Sequence, residues 1–367
     1  MTHVVVVRME TLAKRFGHVR AVDGVSLEIN DGEFFTLLGP SGCGKTTILR
    51  CVAGFVKQEK GHVWFDAELI DDIPAHKRGT GMVFQNYAIF PHLNVFENVA
   101  YGLKARRVRK TETKDRVKRA LDLVRLAGLE ERMPSQLSGG QQQRIALARA
   151  LVIEPRVLLM DEPLSNLDAK LRVEMRSDIR KLQNELKITS IYVTHDQEEA
   201  LTISDRIAVM NAGKVEQIDN PIGIYGNPKS TFTAGFIGQT NFLEAKIESF
   251  DKLNSTAIVS AGNTRIQVPL SEPREGQVLL AIRPENLKII GNEEKPPLSN
   301  ELVGTVESVR FLGSIAEYQV RLANNVSLLL VRVHEPKVNE MKKQSDKVKL
   351  RLKKEGLLAY ANGARVN

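Results

Sequence analysis

Residues 34–55 read FFTLLGPSGCGKTTILRCVAGF, and the glycine-rich run at their centre decides the fold. The apolar residues before the run are typical of a buried strand, and those after it follow the spacing of a helix. Glycines in the pattern Gly39-x-x-x-x-Gly44-Lys45-Thr46 let backbone N–H groups approach phosphates, and the helix presents its positive end to them. The stretch therefore predicts a phosphate-binding loop in an α/β domain.

The residues of this loop have separate expected tasks. We expect Lys45 to reach the β and γ phosphates of ATP, and the Thr46 hydroxyl to ligate Mg²⁺. The nucleotide and the metal are thus expected beside the start of one helix. The predicted phosphate-binding residues are Gly39, Pro40, Ser41, Gly42, Cys43, Gly44, Lys45, Thr46 and Thr47.

Two carboxylates follow a second apolar run, VLLMDEP at residues 157–163. One carboxylate at a strand end can hold the magnesium shell, and a second can orient and deprotonate an attacking water. Asp161 fits the first task and Glu162 the second. Such a pair alone can also be a helix cap or a solvated turn, but the upstream phosphate loop favours the catalytic interpretation.

Gln85 in GMVFQNYAIF and His195 in YVTHD each follow a β-like run. At the carboxyl end of a strand, either side chain could point at a γ-phosphate. A structural role fits the sequence equally well, so both roles stay open for these two residues.

A second glycine run, LSGGQQQR at residues 137–144, opens a predicted helix. Glycines at a helix start expose N–H donors suited to an anion, which makes Ser138, Gly139, Gly140 and Gln141 binding candidates. The alternative is a plain helix cap, because serine is a favoured capping residue. One nucleotide rarely needs two glycine-rich phosphate sites. The residues alone therefore leave open which molecule would supply the anion bound by this second run.

The composition is that of a globular protein with room for two or three domains. The 367 residues are 42% apolar and 26% charged, and no apolar run approaches the ~18 residues of a membrane span. Cys43 and Cys51 lie in one predicted turn and helix, roughly 12 Å apart, and cannot form a disulfide. The start of the chain lacks a basic segment followed by an apolar one, so we expect a cytoplasmic protein.

The formal net charge of +8 is concentrated in two basic runs, residues 104–119 and 342–354. Such charge permits contact with nucleic acid or anionic lipid. Neither run is interleaved with aromatic residues, as a base-stacking surface would be. We therefore expect solvated faces and no nucleic-acid partner.

Residues 1–235 predict an α/β domain, because β-rich runs alternate with helices. Apolar runs that end in polar residues, at 34–39, 157–161 and 190–196, predict buried parallel strands with functional groups at their carboxyl ends. Between them, residues from about 87 to 154 predict a helical subdomain.

The remainder of the chain changes character. Residues 220–241 repeat Gly, Pro and Asn, which is typical of a linker. Residues 236–367 form short alternating runs separated by turns, and predict a small all-β domain of the OB type. We expect an exposed loop within it at residues 291–300.

The motifs, in this order, resemble the ATP-binding subunits of ABC transporters over residues 1 to about 235. LSGGQ is the signature of that family. The resemblance implies an ATPase that works as a homodimer, with each ATP between the phosphate loop of one copy and the signature of the other. That arrangement would explain why the chain has two glycine runs.

The resemblance also implies roles for single residues. Glu162 would be the general base, His195 the sensor of the γ-phosphate, and Gln85 a magnesium ligand that links the site to the membrane subunit. Phe16 in AKRFG stands where the family keeps an aromatic residue that stacks on adenine. The residues implied to act across the dimer are Ser138, Gly139, Gly140, Gln141 and Asp168.

The C-terminal part resembles the transport-associated OB domain of bacterial importer ATPases for sugars, polyamines, ferric iron and related solutes. The stretches that carry this resemblance are PIGIYGNPKSTFTAGFIGQTNFL, LLAIRPENL and VESVRFLGSIAEYQVRL. It implies a peripheral protein at the cytoplasmic face of the cell membrane, with two permease subunits and, indirectly, a periplasmic or lipid-anchored solute-binding protein. Within this group, the stretches FLGS and EYQVRL favour a polyamine, ferric iron or a small organic molecule as the solute over a sugar.

The region after Gln85, NYAIFPHLNVFENVAYGL, mixes apolar and polar residues. In the family it forms a groove for a cytoplasmic coupling helix of the permease, a helix-in-groove contact. Packing within the helical subdomain is the alternative for some of its residues.

Two other classes of protein compete with the importer. A soluble ABC ATPase acting on nucleic acid or ribosomes is favoured by the basic charge and the OB-type domain, but usually has two cassettes or a coiled-coil insertion. A regulatory protein with a dead ATP site is the second. Intact Lys45, Asp161, Glu162 and His195 argue against it.

Overall fold

The computed structural model describes residues 5–262, 264–290, 300–323 and 327–367. The chain forms two compact units, Met1–Ile224 and Tyr225–Asn367. The division predicted near residue 235 falls inside the second unit. Within the described ranges, no helix is both long enough and apolar enough to cross a bilayer.

The first unit alternates strands and helices, as the sequence predicts. Its strands are β1 (Val7–Phe16), β2 (Val19–Ile29), β3 (Phe34–Leu38), β4 (Lys60–Phe65), β5 (Glu68–Leu69), β6 (Thr80–Val83), β7 (Val157–Asp161), β8 (Thr189–Thr194), β9 (Arg206–Asn211) and β10 (Lys214–Asp219). Its helices are α1 (Lys45–Ala53), α2 (Val95–Ala105), α3 (Lys110–Leu123), α4 (Gly139–Leu151), α5 (Ala169–Leu186) and α6 (Gln197–Ile203).

A six-stranded sheet in the order β10-β9-β3-β8-β7-β6 positions the site. Its strands are parallel except for β10, which pairs antiparallel with β9. Every residue of β3, β7 and β8 is buried, as expected for strands covered on both faces. The three runs predicted as buried parallel strands are therefore confirmed, and they are direct neighbours in the sheet.

A second, antiparallel sheet in the order β2-β1-β4-β5 lies in the same unit. It shares one hydrophobic core with α1 and the central sheet, in which Val7, Leu37, Ile48 and Val63 are fully buried. Cys43 and Cys51 belong to this core as free thiols, so the prediction that they do not form a disulfide is confirmed. The phosphate loop is thereby packed against both sheets.

Three helices, α2, α3 and α4, occupy the region predicted to be helical. One face of each helix packs into a common hydrophobic core, which includes Val99, Val117, Leu121 and Ile145. The basic run 104–119 covers the end of α2 and most of α3, where its lysines are exposed while Val117 points inward. The run thus includes the solvated face of an amphipathic helix.

The stretch 220–241, predicted as a linker, contains the division between the two units, and it also forms two short helices that were not predicted, α7 (Pro221–Gly226) and α8 (Thr231–Phe236). The side chains of Asn220 and Ser230 each accept a hydrogen bond from the N–H three residues on, at 2.8 and 3.2 Å. These two caps, and the proline at the first position of α7, stabilise the starts of the two helices. The helices form although the Gly, Pro and Asn content of the stretch favours turns.

The second unit beyond α8 is all β, as predicted. Two antiparallel sheets, β13-β12-β11-β14-β20-β21 and β15-β19-β16-β17-β18, share one core that includes Leu280 and Val320. The loop predicted at 291–300 lies, except for Asn300, outside the described residues. The strands are β11 (Asn241–Asp251), β12 (Thr256–Ala261), β13 (Thr264–Pro269), β14 (Gln277–Ile282), β15 (Leu287–Ile290), β16 (Glu301–Phe311), β17 (Ile315–Leu322), β18 (Leu328–His334), β19 (Lys347–Leu352), β20 (Leu357–Ala361) and β21 (Ala364–Arg365).

Candidate functional site

The carboxyl ends of four neighbouring parallel strands, β3, β8, β7 and β6, carry the groups predicted from the sequence. The phosphate loop follows β3, His195 follows β8, Asp161 ends β7 and Gln85 comes two residues after β6. In the sheet Leu38 lies opposite Thr194, so the phosphate loop and His195 start from the same level. Ligands of open α/β sheets bind at this edge.

Packing explains two of the loop glycines. A Cβ on Gly39 would lie 2.4 Å from the Met210 carbonyl oxygen, and one on Gly44 would lie 2.2 Å from the Ala21 carbonyl oxygen. Gly44 also has a φ of 105°, which disfavours any other residue. A Cβ on Gly42 would meet nothing within 4 Å, so this part of the loop faces open space. The loop therefore has an open, glycine-lined form that suits an anion.

The Lys45 side chain is buried inside the loop it belongs to. Its ammonium group donates hydrogen bonds to the carbonyl oxygens of Gly39 at 2.7 Å and Pro40 at 2.9 Å. Burial raises the pKa of the neighbouring Cys43 thiol, against the opposing charge of Lys45. Lys45 is thus the cation of an otherwise neutral loop, as phosphate binding requires.

Thr46, in the first turn of α1, contacts Asp161 at the end of β7. The Thr46 hydroxyl donates to Asp161 Oδ1 at 2.8 Å, and Asp161 is only 5% exposed. Burial raises the pKa of the Asp161 carboxyl, while the hydrogen bond from Thr46 lowers it. A hydroxyl and one carboxylate fit Mg²⁺, which keeps several waters and takes few protein ligands.

Glu162 and His195 lie side by side. Glu162 Oε2 is 3.0 Å from His195 Nδ1, and the Glu162 N–H donates to the Val193 carbonyl oxygen at 3.0 Å. The Glu162 side chain is 18% exposed and that of His195 54%, so the carboxylate is sheltered and the imidazole open. Glu162 has a left-handed backbone with a φ of 45°. Such strain is common at functional sites.

Gln85 is exposed and begins the turn after β6. Its carbonyl oxygen accepts a hydrogen bond from the Asn166 side chain at 2.9 Å, which links this turn to the loop after β7. The Arg149 guanidinium donates to the carbonyl oxygens of Tyr87 at 2.8 Å and Ala88 at 2.6 Å, both left-handed residues. Side-chain hydrogen bonds therefore hold the backbone at Gln85 and in the turn that follows it.

The second glycine run does act as a helix cap. Ser138 Oγ accepts from the Gln141 N–H, and Gln141 Oε1 accepts from the Ser138 N–H, a reciprocal capping box at the start of α4. Ser138 and Gly139 remain exposed beyond this role. In the described ranges their hydrogen bonds stay within the run, so the structure of one chain does not bring it to the phosphate loop.

Asp168 lies beside the second glycine run. Its side chain caps α5 by accepting from the Leu171 N–H at 3.0 Å. A Cβ on Gly140 would lie 2.8 Å from Cδ2 of Leu171, so α4 and α5 start in contact. Ser138 and Gly139 of the run, together with Asp168, are therefore exposed at the starts of two helices that contact each other.

Phe16 ends β1, and its ring is half exposed with the Lys14 ammonium 5.4 Å from the ring centre. It pairs with Val19 across the turn to β2. Because the carbonyl oxygen of Ala21 in β2 lies against Gly44, this hairpin is a neighbour of the phosphate loop. An exposed aromatic ring there suits a planar base.

Several residues around the site follow no motif and were not predicted. Arg149 and Asn98 hold the turn after Gln85, and Arg172 and Glu199 lie behind Glu162 and His195. The one sequence feature that these four residues share is that each is a charged or polar residue within a helix. Many other residues of the chain share this feature, so it does not identify them.

A phosphate loop, an Asp-Glu strand end and a histidine on one sheet edge, with a helical region inserted, define a P-loop ATPase of the cassette type. Comparison with known families agrees: residues 22–165 match the family described as ABC transporter, and residues 280–359 match the TOBE domain. The chain belongs to the ABC transporter family, among its import ATP-binding proteins, and is an ATP-hydrolysing enzyme.

Two relatives illustrate the similarity. The Fe(3+) ions import ATP-binding protein FbpC of Fusobacterium nucleatum is 45% identical over 98% of this chain and 94% of its own length. The spermidine/putrescine import ATP-binding protein PotA of Rubrobacter xylanophilus is 48% identical over 89% of this chain and 86% of its own. The match extends through both units of the chain.

Solved structures resemble part of the chain. The cbiO1 protein of Clostridium perfringens, part of the ABC transporter complex cbiONQ, is 31% identical with a TM-score of 0.57, over 60% of this chain and 90% of that one. The dimeric bacterial ABC transporter cassette MJ0796 is also 31% identical, with a TM-score of 0.53, over 59% of this chain and 98% of that one.

Proposed function

We propose that the chain is the ATPase subunit of a bacterial importer that works as a homodimer on two permease subunits, at the cytoplasmic face of the cell membrane. Its solute is a polyamine, ferric iron or a small organic molecule, delivered by an external solute-binding protein. The names of the relatives, which import Fe(3+) ions or spermidine and putrescine, support this range.

In the proposed site, Glu162 is the general base. Its carboxylate accepts a proton from the water that attacks the γ-phosphate, and ADP and phosphate leave. His195 contacts Glu162 through Nδ1, and its other ring nitrogen, Nε2, is proposed to face the γ-phosphate. Lys45 exchanges its carbonyl partners for phosphate oxygens, and Phe16 stacks on the adenine.

Mg²⁺ fits beside Thr46 and Asp161, whose hydrogen bond joins a hydroxyl and a carboxylate. The ion would neutralise charge on the phosphates. Gln85, on the adjacent turn, is the proposed third protein ligand. In the described part of the chain no three acidic, His or Cys side chains gather around one point, which suits an ion that relies on substrate and water oxygens.

The second glycine run is proposed to serve the other copy of the chain. The exposed positions of Ser138, Gly139 and Asp168, on elements other than the phosphate loop, support a task across a dimer. The dimeric cassette among the similar structures supports it too. Two bound ATP molecules would then stabilise the closed dimer, and hydrolysis would release it.

The permease contact is proposed to lie after Gln85. The rings of Phe90 and the half-exposed Tyr101 are tilted by 39° with their centres 4.5 Å apart, and the Arg149 guanidinium lies 5.5 Å from the Phe90 ring centre. A partly exposed aromatic pair near the turn that carries Gln85 suits a helix-in-groove contact.

The observation that carries the proposal is the 3.0 Å contact between Glu162 and His195 on the sheet edge that also holds the phosphate loop. The test is the molar mass of Glu162→Gln with and without ATP, beside the same protein with Ser138→Arg. ATP should raise the mass towards a dimer, or tighten an existing one, and Ser138→Arg should abolish the response. Tight ATP binding without any response that depends on Ser138 would overturn the cross-dimer role.

The solute class has a test of its own. In a complex reconstituted with its permease, a binding protein loaded with spermidine, with ferric iron or with a small organic solute should stimulate ATP hydrolysis in only one case. Stimulation by a sugar-loaded binding protein would contradict the proposed range.

A further inference from the structure

Arg172, in the first turn of α5, joins the two loops that carry Glu162 and His195. Its NH2 group donates to the Leu167 carbonyl oxygen at 3.1 Å, and its NH1 group donates to Asp196 Oδ2 at 3.3 Å. Leu167 belongs to the loop after Glu162, and Asp196 directly follows His195. One guanidinium therefore contacts both loops.

A buried acid anchors the same cluster from inside. Glu199 Oε2 accepts hydrogen bonds from the Tyr192 hydroxyl at 2.8 Å and the Thr194 hydroxyl at 2.7 Å, both on β8. Its other oxygen, Oε1, is 3.8 Å from Arg172 Nε. Burial raises the pKa of the Glu199 carboxyl, and the Arg172 charge is among the influences that oppose this rise. Arg172 thus makes two hydrogen bonds and one longer ion-pair contact.

Arg172 also lines a small cavity with the proposed catalytic pair. The cavity has a volume of about 40 Å³ and is lined by Glu162, His195 and Glu199, with Ser165, Thr194 and Asp196. The buried Arg172 Nε–H has no hydrogen-bond partner in the described structure and lies at this cavity. The space exceeds the roughly 10–15 Å³ that a water needs, so a water there could bridge Nε–H and a carboxylate.

The other charged groups around the cluster do not replace Arg172. Arg176, one turn further along α5, pairs with the exposed Glu198 at 2.9 Å. Asp196 uses its other oxygen to cap α6 through the Glu198 and Glu199 N–H groups. Among the residues that line the cavity, Arg172 is the one permanent cation.

We infer that Arg172 is a positioning residue, which sets the Glu162–His195 contact by fixing the loop after β7 to the turn after β8. The inference rests on the proposed roles of Glu162 and His195. Because Asp168 directly precedes α5 and is proposed to face the other copy, Arg172 also transmits a displacement of that loop to His195. A planar fork with several donors can hold three partners at once, whereas a lysine ammonium on a flexible stem cannot.

The test compares Arg172→Lys with Arg180→Lys in the full-length protein. Arg180 is a matched control, because it lies on the same helix and forms an ion pair with Asp205 away from the cavity. Arg172→Lys should lower kcat for ATP by roughly tenfold to a hundredfold with little change in KM. Arg180→Lys should leave both near wild type.

Two further readouts separate positioning from simple loss of stability. Amide hydrogen exchange should accelerate together in residues 164–168 and 194–196 of Arg172→Lys, without nucleotide, while α5 beyond its first turn stays protected. In a His195→Ala background, Arg172→Lys should cause little additional loss of kcat, because residues that act as a unit are not additive. Fully additive losses, or exchange confined to one loop, would overturn the inference.

The experiment also distinguishes this inference from the proposed function. Wild-type ATP hydrolysis in Glu162→Gln would contradict the proposed catalytic roles. If Glu162→Gln is inactive and Arg172→Lys keeps wild-type kcat and exchange, only the positioning role of Arg172 is wrong.

Discussion

The Asn98 side chain pairs with both backbone polar groups of Phe90. Asn98 Oδ1 accepts from the Phe90 N–H at 2.9 Å, and Asn98 Nδ2 donates to the Phe90 carbonyl oxygen at 3.1 Å. The same amide nitrogen lies 2.8 Å from the Leu93 carbonyl oxygen and 3.0 Å from that of Asn94. A fully buried side chain on α2 therefore determines the path of the chain after Gln85.

Asn98→Ala should lower the free energy of unfolding by roughly 2–4 kcal/mol, because it removes several buried hydrogen bonds and leaves backbone groups unsatisfied. Asn94→Ala is the control. It removes the capping box of α2, which should cost only about 1 kcal/mol. Denaturant unfolding of both variants measures the difference, and equal losses would show that Asn98 is not the main support of this segment.

Phe90→Asp should uncouple transport from hydrolysis. The substitution would replace the ring that contacts Tyr101 at the proposed permease contact with a charge, while the phosphate loop and Glu162 stay unchanged. Solute uptake in reconstituted vesicles should be lost, and the basal ATPase of the isolated subunit should remain. Leu253→Asp, at a fully exposed turn of the second unit, serves as the control. Unchanged uptake in Phe90→Asp would contradict the contact.

Gly44→Ala should destabilise the protein more than Gly42→Ala. Both glycines have positive φ, so either alanine costs about 1–2 kcal/mol of backbone strain. Only at Gly44 would the new Cβ also lie 2.2 Å from the Ala21 carbonyl oxygen, which forces the backbone of β2 to move. We expect a total loss of about 3 kcal/mol or more there, measured by denaturant unfolding. Equal losses of unfolding free energy in the two variants would mean that the β2 backbone moves at Ala21 without cost.

Asp161→Asn should alter the pH dependence of stability. Burial raises the pKa of Asp161 above 3.8, so its contribution to the free energy of unfolding is fully present below the unfolded pKa and is lost as pH rises through the native pKa. The asparagine keeps an acceptor for Thr46 and does not ionise. The variant should therefore gain stability relative to wild type as pH rises above about 4, while ATP hydrolysis falls.

Asp251→Asn provides a control of opposite sign. Hydrogen bonds from the Asn254 side chain and the Leu253 N–H lower the pKa of Asp251, so its contribution is present above the unfolded pKa and is lost as pH falls. This variant should lose stability relative to wild type as pH rises. Curves of the same sign for both variants would contradict the burial effect at Asp161.

The sequence predicts structure correctly at positions where the local backbone or packing allows only one type of residue. Gly39 and Gly44 are needed where a Cβ has no room, and the buried strands β3, β7 and β8 require uninterrupted apolar runs. Spacing along the chain was therefore enough to predict the phosphate loop and the sheet edge.

Residues that act through distant partners could not be found in this way. Arg172 contacts Asp196 and Glu199, and Arg149 contacts Tyr87 and Ala88, across separations that only the folded chain closes. The helices α7 and α8 were missed for a different reason. Their caps, Asn220 and Ser230, are residue types that also favour turns, and composition alone does not separate the two.

The left-handed backbone of Glu162 has a consequence for how this chain can change over time. A φ of 45° costs a residue with a side chain about 1 kcal/mol or more, and glycine would adopt it freely. Substitutions that improve folding alone would therefore tend to erase the carboxylate proposed to activate water. Persistence of an acid at position 162 through many generations requires continual selection for hydrolysis, and a duplicated copy relieved of that demand would be expected to lose it early.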